Sequence, residues 1–272
     1  GTTKIVESIS KNDICICVSE YTRMDLIRHS NVYPENTFVV PLAADDEFKI
    51  IRDDSNSKNF LKRIGVYKNK YLVCLAQDDP RKNLSATVVA LEEVLIQNKD
   101  VKLVFIASEV RKQNIMNEYE ILKDNSDRII FISNLNDSEL AALYNHATAF
   151  IYASLAEGFG LPIIEAISCG CPVITSSLTS IPSVATDCAL YVDPRNVTSI
   201  IDAVNLLLRS PSLVEQIKTN ILRISGKYTW KDVAQNYLAV FKLLSKSKLD
   251  EIIYNYDNHP KHKKSEIIYR LF

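Results

Sequence analysis

From about residue 70 onwards, short apolar runs alternate with longer segments in which apolar residues recur every three or four positions. Short apolar runs are typical of strands buried on both faces, and the longer period is typical of helices. The runs predict strands at Tyr71–Ala76, Val101–Ala107, Arg128–Ile132, Thr148–Ala153, Pro172–Thr175 and Ala189–Val192. Helices are predicted between them near Leu84–Gln97, Arg111–Lys123, Asp137–His146 and Leu161–Gly170, with a short helical or turn segment near Ser180–Ala185. This alternation predicts an α/β fold with a doubly wound, Rossmann-like parallel sheet.

The first part of the chain shows a shorter version of the same pattern. Strands are predicted at Ile14–Val18 and Phe38–Leu42, with a helix near Ser19–His29 between them. The segment Lys49–Asn69 is polar and charged, and it is interpreted as a boundary after which one compact unit begins. Three further helical patterns close the regular part of the chain, near Thr198–Leu208, Ser212–Ser225 and Thr229–Ser245.

Composition narrows the class of protein. The chain has 272 residues, 47% of them hydrophobic, which is enough for a full core. Its net charge of −1, without a basic face in the body of the chain, argues against nucleic-acid binding. The six cysteines form neither a disulfide framework nor a C-x₂-C zinc motif, so they are interpreted as buried thiols in a reducing cytoplasm, with no metal site. No apolar run reaches the roughly 18 residues of a membrane span.

A glycine turn between two carboxylates is the most informative motif. Glu157 precedes the turn Gly158–Leu161, Pro162 follows it, and Glu165 lies about one helical turn further on. Proline suits the first turn of a helix, and a helix N-terminus attracts anions. Glycine also lets a ligand approach the backbone N–H groups. The motif therefore predicts a pocket for an anionic ligand flanked by both acids, although an exposed loop acid and an ordinary N-terminal helix charge remain the alternative.

A second charged loop follows the first strand of the predicted sheet. It carries Arg81 and Lys82, two adjacent cations that would neutralise a diphosphate together with the helix N-terminus, without metal. A solvated helix start is the alternative interpretation of the pair. The residues Ala76-Gln77-Asp78 contain no glycine, so the dinucleotide-binding fingerprint is missing and a nicotinamide enzyme is not expected.

These segments together resemble a known family. The runs Asp79–Leu84, Glu157–Ala166, Cys169–Ile174 and Tyr191–Pro194 are similar to those of the family 4 retaining glycosyltransferases, which have the GT-B fold. The resemblance extends from about Val18 to Leu244 and mainly concerns the C-terminal, nucleotide-sugar-binding domain of that family.

The resemblance implies a role for each motif residue. Arg81 and Lys82 would hold the donor diphosphate, and Glu157 with the backbone of Gly158, Phe159, Gly160 and Leu161 would contact the transferred sugar. Glu165 would accept hydrogen bonds from the ribose. The loop Ser133, Asn134 and Leu135 would lie along the nucleobase. The catalytic residues would be Glu157, Arg81 and Lys82, and neither a cofactor nor a metal is expected beside the nucleotide-sugar substrate. The leaving phosphate would accept the proton of the acceptor in a front-face retaining mechanism.

The resemblance also implies a division of the chain. Residues 1–48 would be a remnant of the N-terminal acceptor domain and hinge, 49–228 the donor-binding domain, 229–245 a crossing helix and 246–272 a polar basic tail. Most of the acceptor domain would be absent, so a missing N-terminal domain or partner chain is expected, and the isolated chain would be inactive or weakly active.

Two partners and one alternative function follow. The expected substrates are a nucleotide-diphosphate sugar and a glycan or lipid-linked acceptor, handled in the cytoplasm. The basic tail at Lys261–Lys264 either contacts the inner face of the membrane or is simply solvated. The alternative function is a non-catalytic nucleotide-sugar-binding subunit of a split glycosyltransferase.

Overall fold

The computed structural model describes residues 6–51, 54–224, 226 and 228–243, and it divides into two compact units. One unit lies within residues 44–227, and the other combines residues up to Ala43 with residues from Tyr228 onwards. The predicted tail at 246–272 and the last two residues of the predicted final helix lie outside the described residues.

A six-stranded parallel sheet forms the centre of the larger unit. Its strands are β3 (Lys70–Leu75), β4 (Val101–Ile106), β5 (Ile129–Ile132), β6 (Ala149–Tyr152), β7 (Val173–Ser176) and β8 (Ala189–Val192). Its helices are α2 (Ser55–Arg63), α3 (Leu84–Gln97), α4 (Glu109–Glu118), α5 (Glu120–Asp124), α6 (Asp137–His146), α7 (Leu161–Ser168), α8 (Ile181–Ala185), α9 (Val197–Arg209) and α10 (Pro211–Ile224). The strand order is β5-β4-β3-β6-β7-β8, the doubly wound order in which the chain reverses direction across the sheet between β3 and β6. The predicted fold class is confirmed.

The core of this unit explains the continuous apolar runs. All four residues of β6 and of β7 are buried, as expected for strands covered on both faces. The register is fixed along the strands, with Leu72 of β3 opposite Leu103 of β4 and Phe105 of β4 opposite Phe131 of β5. The two phenylalanine rings stack with centroids 5.3 Å apart.

Two of the observed elements differ from the predictions by more than their end residues. The segment interpreted as a polar boundary contains α2, which begins at its N-cap Asp54 and buries Phe60 and Leu61. The single helix predicted at Arg111–Lys123 is wrong, because Tyr119 has extended backbone and separates α4 from α5. A short helix with only two apolar positions gives a weak periodic signal, and no glycine or proline marks the break at Tyr119.

The smaller unit has its own short parallel sheet. Strands β1 (Cys15–Cys17) and β2 (Thr37–Val39) pair in parallel, and α1 (Glu20–His29) connects them with Ser19 as its N-cap. Helix α11 (Trp230–Leu243) buries Val233 and Val240 in a core that also contains Val40 and Ala43. This unit therefore unites the two ends of the described chain.

The six cysteines are free thiols. Cys17, Cys74, Cys169, Cys171 and Cys188 are buried, and Cys15 is half-buried. Burial raises the pKa of the Cys74 thiol to about 12. Such thiols are uncharged at neutral pH and pack as small apolar groups.

Candidate functional site

The two charged loops meet where the strand order reverses. The first loop follows β3 and the second follows β6, and these strands are direct neighbours, with Leu72 opposite Ala149. In doubly wound sheets, ligands bind beyond the carboxyl ends of the strands at this switch point. The fold therefore brings the two sequence motifs to one crevice.

The loop after β3 is a turn of 3₁₀-helix, Pro80–Lys82, capped by Asp79. Asp79 accepts hydrogen bonds from the Arg81 backbone and guanidinium, and this contact lowers the pKa of Asp79. Asn83 ends the turn with a left-handed φ of 54°, a conformation that asparagine tolerates better than most residues. Its side-chain amide donates to the carbonyls of Ala153 and Pro194 at 3.1 and 2.7 Å. Asn83 thus holds the loop against the ends of two other strands.

Lys82 and Glu157 form a buried ion pair across the crevice. Lys82 Nζ lies 2.7 Å from Glu157 Oε1, and the two side chains are only 13% and 9% exposed. Lys82 Nζ also donates to the hydroxyl of Tyr152 at 2.7 Å, and Ser154 Oγ donates to Glu157 Oε1 at 2.8 Å. We call these four residues, Lys82, Tyr152, Ser154 and Glu157, the lysine cluster. Charges this deep are stable only when they are paired and hydrogen-bonded, as they are here.

The backbone of the second loop is tied to the first loop and to the loop after β7. The carbonyl of Arg81 accepts from the N–H of Leu155 at 2.7 Å. Ser154 Oγ lies 2.8 Å from the same carbonyl, so its single proton is shared between this carbonyl and Glu157. On the other side, the N–H of Glu157 donates to Thr179 Oγ1 at 3.1 Å, and Ser180 Oγ donates to the carbonyl of Glu157 at 2.9 Å. The position of Glu157 is therefore fixed from two directions.

The glycine turn leads directly into α7. Gly160 has a φ of 100° and forms the N-cap, and Pro162 lies in the first turn. A side chain at Gly160 would be strained and would lie 3.2 Å from Ile163 Cδ1. Gly158 is not among the glycines with positive φ, so the sequence argument about backbone freedom holds for Gly160 alone. Phe159 is buried, and its carbonyl accepts a hydrogen bond from Ser180 Oγ at 3.3 Å.

Glu165 lies apart from the lysine cluster. It is half-buried on α7, and no donor among the described residues forms a hydrogen bond with its carboxylate. Burial, and secondarily the negative charge of Asp137, raise its pKa from 4.5 to about 7. A carboxyl group that is desolvated and unpaired is ready to accept hydrogen bonds from a ligand.

The remaining predicted residues are distributed around the crevice. Ser133 and Asn134 are exposed and Leu135 is half-buried, on the loop after the edge strand β5. Arg81 is exposed over 64% of its side chain, and its guanidinium contacts Asp79, not Glu157. Of the three residues predicted to be catalytic, Lys82 and Glu157 are thus in direct contact. Arg81 is connected to the loop of Glu157 only through its backbone carbonyl, which accepts from the N–H of Leu155.

Several residues of the site were missed by sequence reasoning. Tyr152 is the last residue of β6 and Ser154 follows two residues later. The apolar run that predicts the strand gives no sign that either side chain has a polar role. Asn83 carried the only available signal, an asparagine directly before a helical pattern. Asp78 has no predicted role in the sequence analysis. In the structure it forms an ion pair with Arg111 near the start of α4.

Among the described residues, no single helix has the length and apolar character that a membrane crossing requires. Helices α9 and α10 meet that test only as a pair, with a bend of 95° between them.

Comparison with known proteins agrees with this architecture. Residues 57–223 match the family described as "Glycosyl transferases group 1". The chain is 28% identical over 240 residues to the O-antigen chain mannosyltransferase B of Escherichia coli, covering 88% of this chain and 62% of that protein. It is 29% identical over 234 residues to the MMP alpha-(1->4)-mannosyltransferase of Mycolicibacterium hassiacum, covering 84% of this chain and 53% of that protein.

The fold is similar to that of solved glycosyltransferase structures. HepE from Anabaena, solved with UDP and glucose, superposes with a TM-score of 0.71 at 17% identity, over 90% of this chain and 65% of that protein. The chain therefore spans between half and two thirds of the length of these relatives. Because the family match covers more than half of the sequence, the chain belongs to the group 1 glycosyl transferases, which confirms the resemblance inferred from its motifs.

Proposed function

We propose that the chain is the donor-binding half of a retaining glycosyltransferase. It binds a nucleoside diphosphate sugar in the switch-point crevice, and the sugar is transferred to a hydroxyl group of a glycan or lipid-linked acceptor. The observation that carries this proposal is the buried contact of 2.7 Å between Lys82 and Glu157, which joins the loops after β3 and β6 at the ligand edge of the sheet. Family membership supports the same conclusion.

The charges of the crevice suit the departing diphosphate. Breaking the bond between a sugar and its phosphate leaves negative charge on the diphosphate and positive charge on the sugar. Lys82 and Arg81 supply fixed positive charge on the phosphate side, and the N-terminus of α7 adds a positive dipole end. Because these groups are protein cations and backbone dipoles, the proposed site needs no metal ion or cofactor.

The carboxylate of Glu157 has the complementary role. In the proposed front-face reaction, the bond from the anomeric carbon to the phosphate oxygen breaks and the bond to the acceptor oxygen forms on the same face. The acceptor proton goes to the departing phosphate oxygen, so no separate protein base is needed. Glu157 is occupied by Lys82 and Ser154, which suits a group that orients the sugar and stabilises its positive charge. Glu165 would then bind the ribose hydroxyls, and the loop Ser133–Leu135 would contact the base.

The relatives suggest the first sugar to test. Both curated relatives named above are mannosyltransferases, whereas the solved relative contains UDP and glucose. We therefore expect a nucleoside diphosphate hexose, with mannose as the first candidate. The free thiols fit a cytoplasmic enzyme, and an acceptor carried on a lipid would bring it to the inner face of the membrane.

Calorimetric titration tests the donor site. GDP, UDP, GDP-mannose and UDP-glucose are titrated into the 272-residue chain, and at least one is expected to bind. Glu165→Ala and Arg81→Ala should each weaken that binding by about tenfold or more, because each removes a charged hydrogen-bonding group. Arg63→Ala is the matched control, because Arg63 forms an exposed ion pair with Glu139 at 2.6 Å, much as Arg81 does with Asp79. Absence of binding at millimolar ligand would refute the proposal.

A second candidate is a non-catalytic nucleotide-sugar-binding subunit. It is favoured by the small unit, whose described residues contain a sheet of only two strands. In that case, the acceptor-binding surface comes from a further N-terminal domain or from a partner chain. Turnover separates the candidates: release of nucleoside diphosphate from a bound sugar donor by the chain alone would exclude the non-catalytic subunit.

A further inference from the structure

Tyr152 lies at the centre of the lysine cluster, although no role has been assigned to it so far. It is the last residue of β6, it is buried, and its hydroxyl accepts a hydrogen bond from Lys82 Nζ at 2.7 Å. The carboxylate of Glu157 accepts from the same ammonium at 2.7 Å. Burial and that carboxylate raise the pKa of Tyr152 far above its ordinary value, so the phenol keeps its proton. Tyr152 is thus a neutral hydrogen-bond acceptor for the Lys82 ammonium.

The ring of Tyr152 is fixed as firmly as its hydroxyl. It stacks on Phe150 with centroids 5.4 Å apart, inside a strand that is buried along its whole length. The packing of a tyrosine ring restricts the position of its hydroxyl, whereas the four-carbon stem of a lysine is flexible. The position of the Lys82 ammonium is therefore set by a group that itself has little freedom.

The hydrogen-bonding capacity of Lys82 points to a ligand. An ammonium group has three N–H donors, and the structure uses two of them, one for Tyr152 and one for Glu157. The third donor has no acceptor among the described residues and remains for a ligand. Because two directions are fixed, the third is fixed as well.

We propose that Tyr152 is a positioning residue of the donor site, whose hydroxyl holds the Lys82 ammonium so that its remaining N–H is aimed at the diphosphate of the bound nucleotide. This inference rests on the proposed function. Without the hydroxyl, Lys82 would keep only Glu157 as a fixed acceptor, and its ammonium would lose the orientation that the phosphate requires.

Two tyrosine-to-phenylalanine variants test the proposal. Tyr144 is the matched control, because its ring also packs on Phe150, with centroids 5.1 Å apart, and its buried hydroxyl has no hydrogen-bond partner. Both variants remove one buried hydroxyl beside the same phenylalanine. Tyr152→Phe is expected to weaken binding of GDP or UDP by about tenfold, the loss typical of a hydrogen bond to a charged group. Tyr144→Phe should bind the same nucleotide as the wild type does.

A spectroscopic measurement separates positioning from a general loss of stability. In protein labelled with ¹⁵N at lysine Nζ, a buried and hydrogen-bonded ammonium gives a slowly exchanging NMR signal, which the Lys82→Met variant would assign. We expect this signal in the wild type and in Tyr144→Phe, and we expect it to broaden or disappear in Tyr152→Phe while the melting temperature shows the chain still folded.

The outcomes are distinguishable. If the wild type binds neither GDP nor UDP, the proposed function itself fails. If the wild type binds one of them and Tyr152→Phe binds it equally well, with the Lys82 signal unchanged, Tyr152 is only a packing residue and this inference is wrong. Equal weakening by Tyr152→Phe and Tyr144→Phe would also overturn it, because the effect would then come from the shared neighbour Phe150.

Discussion

The two carboxylates of the glycine motif have opposite environments. Glu157 is buried in a cluster in which it accepts hydrogen bonds from Lys82 and Ser154, and the hydroxyl of Tyr152 accepts one from Lys82. Glu165 is half-buried on α7 without such a partner, and its pKa is raised to about 7. The first group is satisfied within the protein, whereas the second has no hydrogen-bond donor among the described residues. One short motif therefore combines a carboxylate that the protein itself pairs with a carboxyl group that it leaves without a partner in the described part of the chain.

The largest expected effect on stability comes from breaking the ion pair between Glu157 and Lys82. Glu157→Ala leaves the ammonium of Lys82 buried without its carboxylate, which should lower the free energy of unfolding by about 3–5 kcal/mol. Urea unfolding at pH 7 measures this loss. The double variant Glu157→Ala with Lys82→Met should recover part of it, because no unpaired charge remains. If the losses of the single variants simply add, the two side chains are not coupled.

The contribution of Glu165 to the free energy of unfolding should depend on pH. The pKa of Glu165 in the folded protein, about 7, lies above its ordinary value of 4.5, so between pH 4.5 and 7 the folded state binds more protons than the unfolded state does. The free energy of unfolding should therefore fall as pH rises from about 5 to 8, by at most about 3 kcal/mol from this group. Glu165→Gln should remove this contribution. The measurement is the difference between urea unfolding of wild type and variant at each pH, and a difference that does not change with pH would contradict the argument.

The smallest expected effect concerns the exposed pair beside the cluster. Asp79 and Arg81 contact each other at 2.6 Å, but Arg81 is mostly exposed, so solvent and salt weaken the attraction. Asp79→Asn keeps a cap for the turn and removes the charge that competes with a diphosphate for Arg81. Stability should hardly change, while affinity for GDP or UDP should rise about two- to fivefold at low salt. An unchanged affinity would mean that Arg81 does not reach the phosphates.

Strands and helices with a continuous apolar signal were predictable from the sequence. Helices α3 and α6 and strand β8 have the predicted bounds, because apolar periodicity and clear start signals agree there. Helix α6, for example, begins with a capping box between Asn136 and Glu139. Helix α2 was missed because it has only two apolar residues, the adjacent Phe60 and Leu61, which cannot show a helical period in the sequence.

The candidate site was only partly predictable, for a different reason. A motif identifies residue types, and Arg81, Lys82, Glu157 and Glu165 could be named from it. Which of them form pairs depends on the neighbouring positions of β3 and β6 in the sheet, and no local pattern encodes that contact. In the sequence, Tyr152 belongs to an apolar run that predicts only a buried strand. The hydrogen bond that its hydroxyl accepts from Lys82 can be recognised only in the folded structure.

The buried thiols have a practical consequence for dynamics. Cys74 lies in β3, on one side of the strand reversal, and Cys171 lies two residues before the start of β7, on the other. A buried thiol reacts with an alkylating reagent only when its surroundings open, so its rate of modification measures that opening. The chain therefore carries an internal reporter in each half of its large sheet. Equal rates at the two positions would show that the halves open as one cooperative body, and unequal rates would show which half opens first.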